Sequence, residues 1–133
     1  WQLYLAVFPA AGSYRPGIGG HCPPRLVRAR ARDVTFMPRG GRALGWFLEN
    51  PLRAVELALE PGDYLVFYTD GLTEAESPDG EFFGETRMAQ AALEALGQPA
   101  DRVLDQILRC VDAFSAGEPA RDDLTLCVVR FTG

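Results

Sequence analysis

Residues 64–75, YLVFYTDGLTEA, run five apolar or aromatic residues, Tyr64 to Tyr68, straight into Thr69-Asp70-Gly71. The run has the length of a strand, and Pro61-Gly62-Asp63 supplies turn chemistry in front of it. An unbroken apolar run lacks the alternation of a half-exposed strand, so burial on both faces is predicted. Asp70 therefore stands at the rim of a core.

Upstream of that strand, Val55, Leu57 and Leu59 alternate with polar or small residues and give a further β signal. Further back, Arg25 to Ala31 and Asp33 to Met37 alternate in polarity and suit a half-buried hairpin. QLYLAVF (2–8) is β-rich and ends at Pro9, with AAGS (10–13) as a turn. Glycines at 17, 19, 20, 40, 41 and 45 make this half rich in loops as well as strands.

Downstream, two helices are predicted. In the first, 86–96, Met88, Ala92, Leu93 and Leu96 recur at helical spacing and Gly97 suits the position after the C-cap. In the second, 100–115, Val103, Leu104, Ile107, Cys110, Val111 and Phe114 form an apolar stripe, with Asp101 in the first turn and Gly117 past the end. Leu124 to Phe131 then reads as a second buried strand. Antiparallel-type strands, a helix pair and a returning strand make an α+β layered arrangement, in which the two helices cover one sheet face only.

A chain of 133 residues suits one domain with one sizeable core. No apolar run approaches 18 residues, which argues against membrane insertion. The start, WQLYLAVFPAAG, has no basic n-region and reads as a strand entered from upstream rather than a signal peptide. Cys22, Cys110 and Cys127 lack the spacing of a zinc site or a disulfide framework, which favours a reducing, cytoplasmic setting, and Cys110 and Cys127 read as core filler. From Trp1 to Arg53 eight Arg face two acids, a balance of +6; from Ala54 onward five Arg face sixteen acids, a balance of −11. The acidic whole, with an Arg cluster at 25–32 lacking interleaved aromatics, argues against a nucleic-acid partner.

The acids gather at the ends of the two most apolar strands: Asp70 after Tyr64 to Tyr68, and Asp122-Asp123 before Leu124 to Phe131. If those strands are antiparallel neighbours, all three carboxylates reach one sheet edge, where they repel unless a cation neutralises them. Oxygen-only donors suit Mg²⁺ or Mn²⁺. Taken singly, Asp70-Gly71 reads as a turn and Asp122-Asp123 as the solvated start of a strand. Glu74 and Glu76 read as exposed loop residues, and Asp79-Gly80 as a turn. His21, between Gly-Gly and Pro-Pro, reads as a structural histidine bonded to backbone or as an acid-base group.

Four segments, GGHCPPRLVR, GGRALGWF, LEPGDYLVFYTDGLTEAESPDGEFFGETRM and RDDLTLCVVRF, resemble in order and spacing the C-terminal part of metal-dependent (type 2C) serine/threonine protein phosphatases. The likeness is to their bacterial sporulation stage II protein E branch and covers nearly the whole chain. It implies part of an α-β-β-α layered sandwich with antiparallel sheets, one helix pair (86–96, 100–115) and two Mn²⁺ or Mg²⁺ ions at one end. By resemblance Asp70 and Asp122 are metal ligands. Gly71 lets the backbone approach the metal, Thr69 shapes the strand end, and Asp123 falls where the family varies between Asp and Asn. GGHCPP resembles an Ala-Gly-His-Pro-Pro loop, with Gly20 and Cys22 replacing Ala and Pro, and His21 as its histidine.

The resemblance implies hydrolysis of phosphoserine or phosphothreonine on a regulatory protein, such as an anti-sigma-factor antagonist, by a metal-activated water. The family's first metal motif, an Asp near a Gly-His-Gly-like turn, lies upstream of the GGHCPP position, and this chain has no acid before Asp33. Residues 1–133 therefore read as the C-terminal part of one catalytic domain, inactive in isolation and leaving an apolar sheet face open to dimerisation. The other reading is a truncated or degenerate domain that binds partners without hydrolysis.

Overall fold

The computed structural model describes residues 3–7, 13–19, 22–37, 57–118 and 122–133, with backbone alone for the first two segments. His21, Val55 and the GGRALGWF stretch lie outside the described residues. Two antiparallel sheets are present. β1 (Leu3–Val7), β2 (Ser13–Gly19) and β5 (Leu57–Ala58) form a three-stranded sheet in the order β1-β2-β5. β3 (Arg25–Arg28), β4 (Asp33–Phe36), β6 (Tyr64–Tyr68) and β7 (Leu126–Arg130) form a four-stranded sheet in the order β4-β3-β6-β7. Between β6 and β7 run α1 (Asp70–Thr73), α2 (Gly84–Glu94) and α3 (Ala100–Phe114). The fold class is α+β, as the sequence predicts.

Alternation along β6 places Tyr64, Val66 and Tyr68 under the helices, together with Val27, Met88, Ala91, Val103, Ile107 and Val111. Leu65 turns to the opposite face and packs with Leu26, Met37 and Leu59, against which Leu57 of the second sheet also packs. The central strand is thus buried on both faces, as its unbroken apolar run requires. The Tyr64 hydroxyl donates to the Gln98 carbonyl and accepts from the Gly97 N–H, fixing the end of α2 against the sheet.

Four sequence expectations need correction. α2 starts at Gly84 and ends at Glu94, so Leu96 lies beyond it. β2 occupies a stretch read as turn and loop. Asp70-Gly71 opens the short helix α1 rather than a simple turn, because Leu72 N–H bonds back to the Thr69 carbonyl and Glu74 N–H to that of Asp70. β7 is alternately half-buried and exposed instead of buried on both faces, and Cys127 is exposed rather than core filler. The reason is position: among the described residues β7 ends the sheet order, and an apolar run carries no information about which strand is outermost.

Candidate metal centre

The antiparallel ladder of β6 and β7 pairs Tyr68 with Leu126, which leaves the residues after β6 facing those before β7. Thr69 continues the contact beyond the ladder. Its backbone N–H donates to the Thr125 carbonyl at 3.1 Å. Its hydroxyl donates to the Asp123 carbonyl at 2.7 Å and accepts from the Thr125 N–H at 2.8 Å. One threonine therefore fastens the start of α1 to the Asp122-Asp123 segment, across more than fifty residues of sequence.

Gly71 makes that approach possible. A Cβ built there would stand 2.7 Å from the Asp123 carbonyl oxygen and 3.1 Å from that of Asp122, closer than side-chain atoms tolerate. The structure thus brings Thr69, Asp70, Gly71, Asp122 and Asp123 to one sheet edge. Asp70, Asp122 and Asp123 are exposed. Among the described residues none of the three carboxylates pairs with a basic side chain; Asp122 Oδ1 accepts the N–H of Asp123 at 2.7 Å. Also among the described residues, no group of three or more His, Cys, Asp or Glu side chains is disposed to hold an ion. Exposed carboxylates without an arginine partner among the described residues, beside carbonyls that only a glycine could approach so closely, fit a hard divalent cation better than a zinc or copper ion.

Next to this edge lies a polar network that the sequence reading missed. Tyr68, next to Thr69, donates its hydroxyl to Glu85 Oε1 at 3.1 Å. Glu85 pairs with the buried Arg25, whose guanidinium lies 4.4 Å from the Phe36 ring centroid and 5.7 Å from that of Tyr68. Burial holds the Tyr68 hydroxyl well above the ordinary tyrosine range; the Arg25 charge opposes this and Glu85 adds to it. Tyr68 is therefore a neutral donor that ties β6 to the first turn of α2. The signal that could have found it is Arg25 at the head of β3, directly before the apolar pair Leu26-Val27.

The family described as Stage II sporulation protein E (SpoIIE) matches residues 3–132. Protein IcfG of Synechocystis sp. (strain ATCC 27184 / PCC 6803 / Kazusa) is 34% identical over 89 residues, which cover 67% of this chain and 14% of IcfG. The structure of the RsbU and RsbW domains of Rv1364c from Mycobacterium tuberculosis superposes with a TM-score of 0.73 at 26% identity, covering 91% of this chain and 34% of that one. The phosphatase domain of the cell fate determinant SpoIIE from Bacillus subtilis superposes with a TM-score of 0.74 at 20% identity, covering 98% of this chain and 56% of that one. The chain thus spans about half or less of the length of these relatives. The solved phosphatase domains share the fold, and the family match over nearly all of its length shows that the chain belongs to the Stage II sporulation protein E (SpoIIE) family.

Proposed function

We propose that this chain is the C-terminal part of a protein serine/threonine phosphatase that removes phosphate from phosphoserine or phosphothreonine of a regulatory protein, such as an anti-sigma-factor antagonist. Family membership supports phosphatase chemistry. A regulatory substrate is in keeping with a relative in which an RsbU domain adjoins an RsbW domain. The observation that carries the site is the Thr69 and Gly71 contact, which sets Asp70 beside Asp122-Asp123.

In this reading Asp70 and Asp122 hold Mn²⁺ or Mg²⁺, with a further carboxylate supplied upstream in the longer protein. Asp123 and Gly71 shape the approach, Thr69 holds the two segments in register, and His21 is carried only as the histidine of the GGHCPP motif. A divalent ion bound there supplies positive charge for the phosphoryl group and lowers the pKa of the attacking water. Among the described residues no helix is long and apolar enough to cross a membrane, and the proposed setting is cytoplasmic.

The test is Mn²⁺-dependent release of phosphate from a phosphoserine peptide by the protein expressed in its full reading frame. Asp70→Asn and Asp122→Asn are each expected to lower turnover by about a hundredfold or more at intact fold, since removing one charge-stabilising group commonly has that effect. Turnover that survives Asp70→Asn sinks the metal assignment. A folded full-length protein with no turnover at any Mn²⁺ concentration favours the binding-module reading instead.

A further inference from the structure

A cleft of about 470 Å³ opens between the loop after α1 and the C-terminal end of α3. Its lining is mixed: Ala75, Pro78, Val111 and Leu124 give it an apolar side, Glu76, Ser77 and Ser115 a polar one, and Asp112 and Glu118 stand at its α3 end. Both rim carboxylates are exposed, and among the described residues neither meets a basic side chain and no arginine lines the cleft. Ala75 lies just past α1, and Leu124 directly follows Asp122-Asp123. The cleft therefore begins where the acidic edge ends.

The end of α3 adds an independent reason to expect a cation here. The C-terminus of a helix is its negative pole, which arginine or lysine in the last turn would ordinarily offset. The last turn of α3 has no basic residue and carries Asp112 instead, so a carboxylate sits where the helix dipole disfavours it. Such an arrangement costs stability in the free protein and is relieved by a positive charge from outside. The apolar side of the cleft, Ala75, Val111 and Leu124, suits an aliphatic stem that ends in that charge.

We propose that this cleft receives an arginine or lysine side chain that flanks the phosphorylated residue of the substrate protein, its stem against Ala75, Val111 and Leu124 and its charge between Asp112 and Glu118. The proposal rests on the phosphatase reading above and names a substrate class for it: phosphoproteins with a basic residue near the phosphorylated position.

The experiment uses the protein in its full reading frame and two phosphoserine peptides that differ only in arginine or norleucine at a flanking position. The arginine peptide is expected to show about tenfold higher kcat/KM, as complementary charge at a rim supplies. Asp112→Asn combined with Glu118→Gln is expected to abolish that preference through KM, with kcat and the turnover of p-nitrophenyl phosphate unchanged. Fluorescence anisotropy with the non-phosphorylated arginine peptide reads the cleft without catalysis, and binding is expected to weaken in the double variant and at raised salt. Equal handling of both peptides, or a preference that survives the double variant, overturns the proposal. A folded full-length protein that turns over neither peptide overturns the phosphatase reading alone, because the anisotropy comparison still decides the cleft.

Discussion

Gly71 is where the acidic edge is tightest. The constraint is steric and not conformational: the missing Cβ is what lets the first turn of α1 lie against the carbonyls of Asp122 and Asp123. Gly71→Ala forces one segment away from the other. The expected cost is about 1–3 kcal/mol of stability, the usual range for overpacking a tight contact. Because the same displacement separates Asp70 from Asp122, the Mn²⁺ concentration for half-maximal turnover should also rise in the full-length enzyme. Urea unfolding and a Mn²⁺ titration measure the two effects. A variant with wild-type values in both would mean that the close approach has no part in the site.

At the scale of elements, β6 and the helix pair were legible because burial writes itself into spacing: Val103, Ile107 and Val111 recur on one face of α3 and are the residues it buries. The pairing of β6 with β7, and hence the meeting of Asp70 with Asp122, was legible as a condition on topology that the ladder then met. What stayed hidden depended on partners distant in sequence. α1 forms under the Thr69 contact rather than from propensity, and the exposure of β7 follows from its place in the sheet. Asp63 is a sharper case. It reads as a turn residue, yet its carboxylate is fully buried and accepts from Arg28 Nη1 at 2.9 Å and from the N–H groups of Ala29 and Glu60 at 3.0 Å each. It thereby locks the β3 end to the turn that launches β6. Asp63→Ala strands those donors and is expected to cost about 3–5 kcal/mol, the range for breaking a buried ion pair. Thermal or urea unfolding checks this; a loss under about 1 kcal/mol would show that water replaces the carboxylate at little cost. Peptide turnover by the folded fraction should be unaltered, since Asp63 lies at the opposite end of β6 from Asp70.

At the scale of the whole molecule, the surface beside β7 decides how the 133-residue chain behaves alone. Among the described residues β7 is the last strand of its sheet, with Cys127 exposed and Val129 37% exposed. An apolar hollow of about 300 Å³, lined in part by Leu59, Leu65, Val129 and Phe131, adjoins that edge. A strand edge offers unpaired N–H and C=O groups, and apolar side chains beside it add a driving force for another copy to pair there. The longer relatives, of which this chain covers 34% and 56%, have further chain with which to cover such a surface. The isolated chain is therefore expected to self-associate, with a mass in light scattering that rises with concentration. Val129→Lys places a charge on the edge and should return the mass toward that of a monomer, since lysine at an edge blocks strand addition. A monomeric mass at every concentration would show that the edge is already covered. Association untouched by Val129→Lys would place the contact on another face.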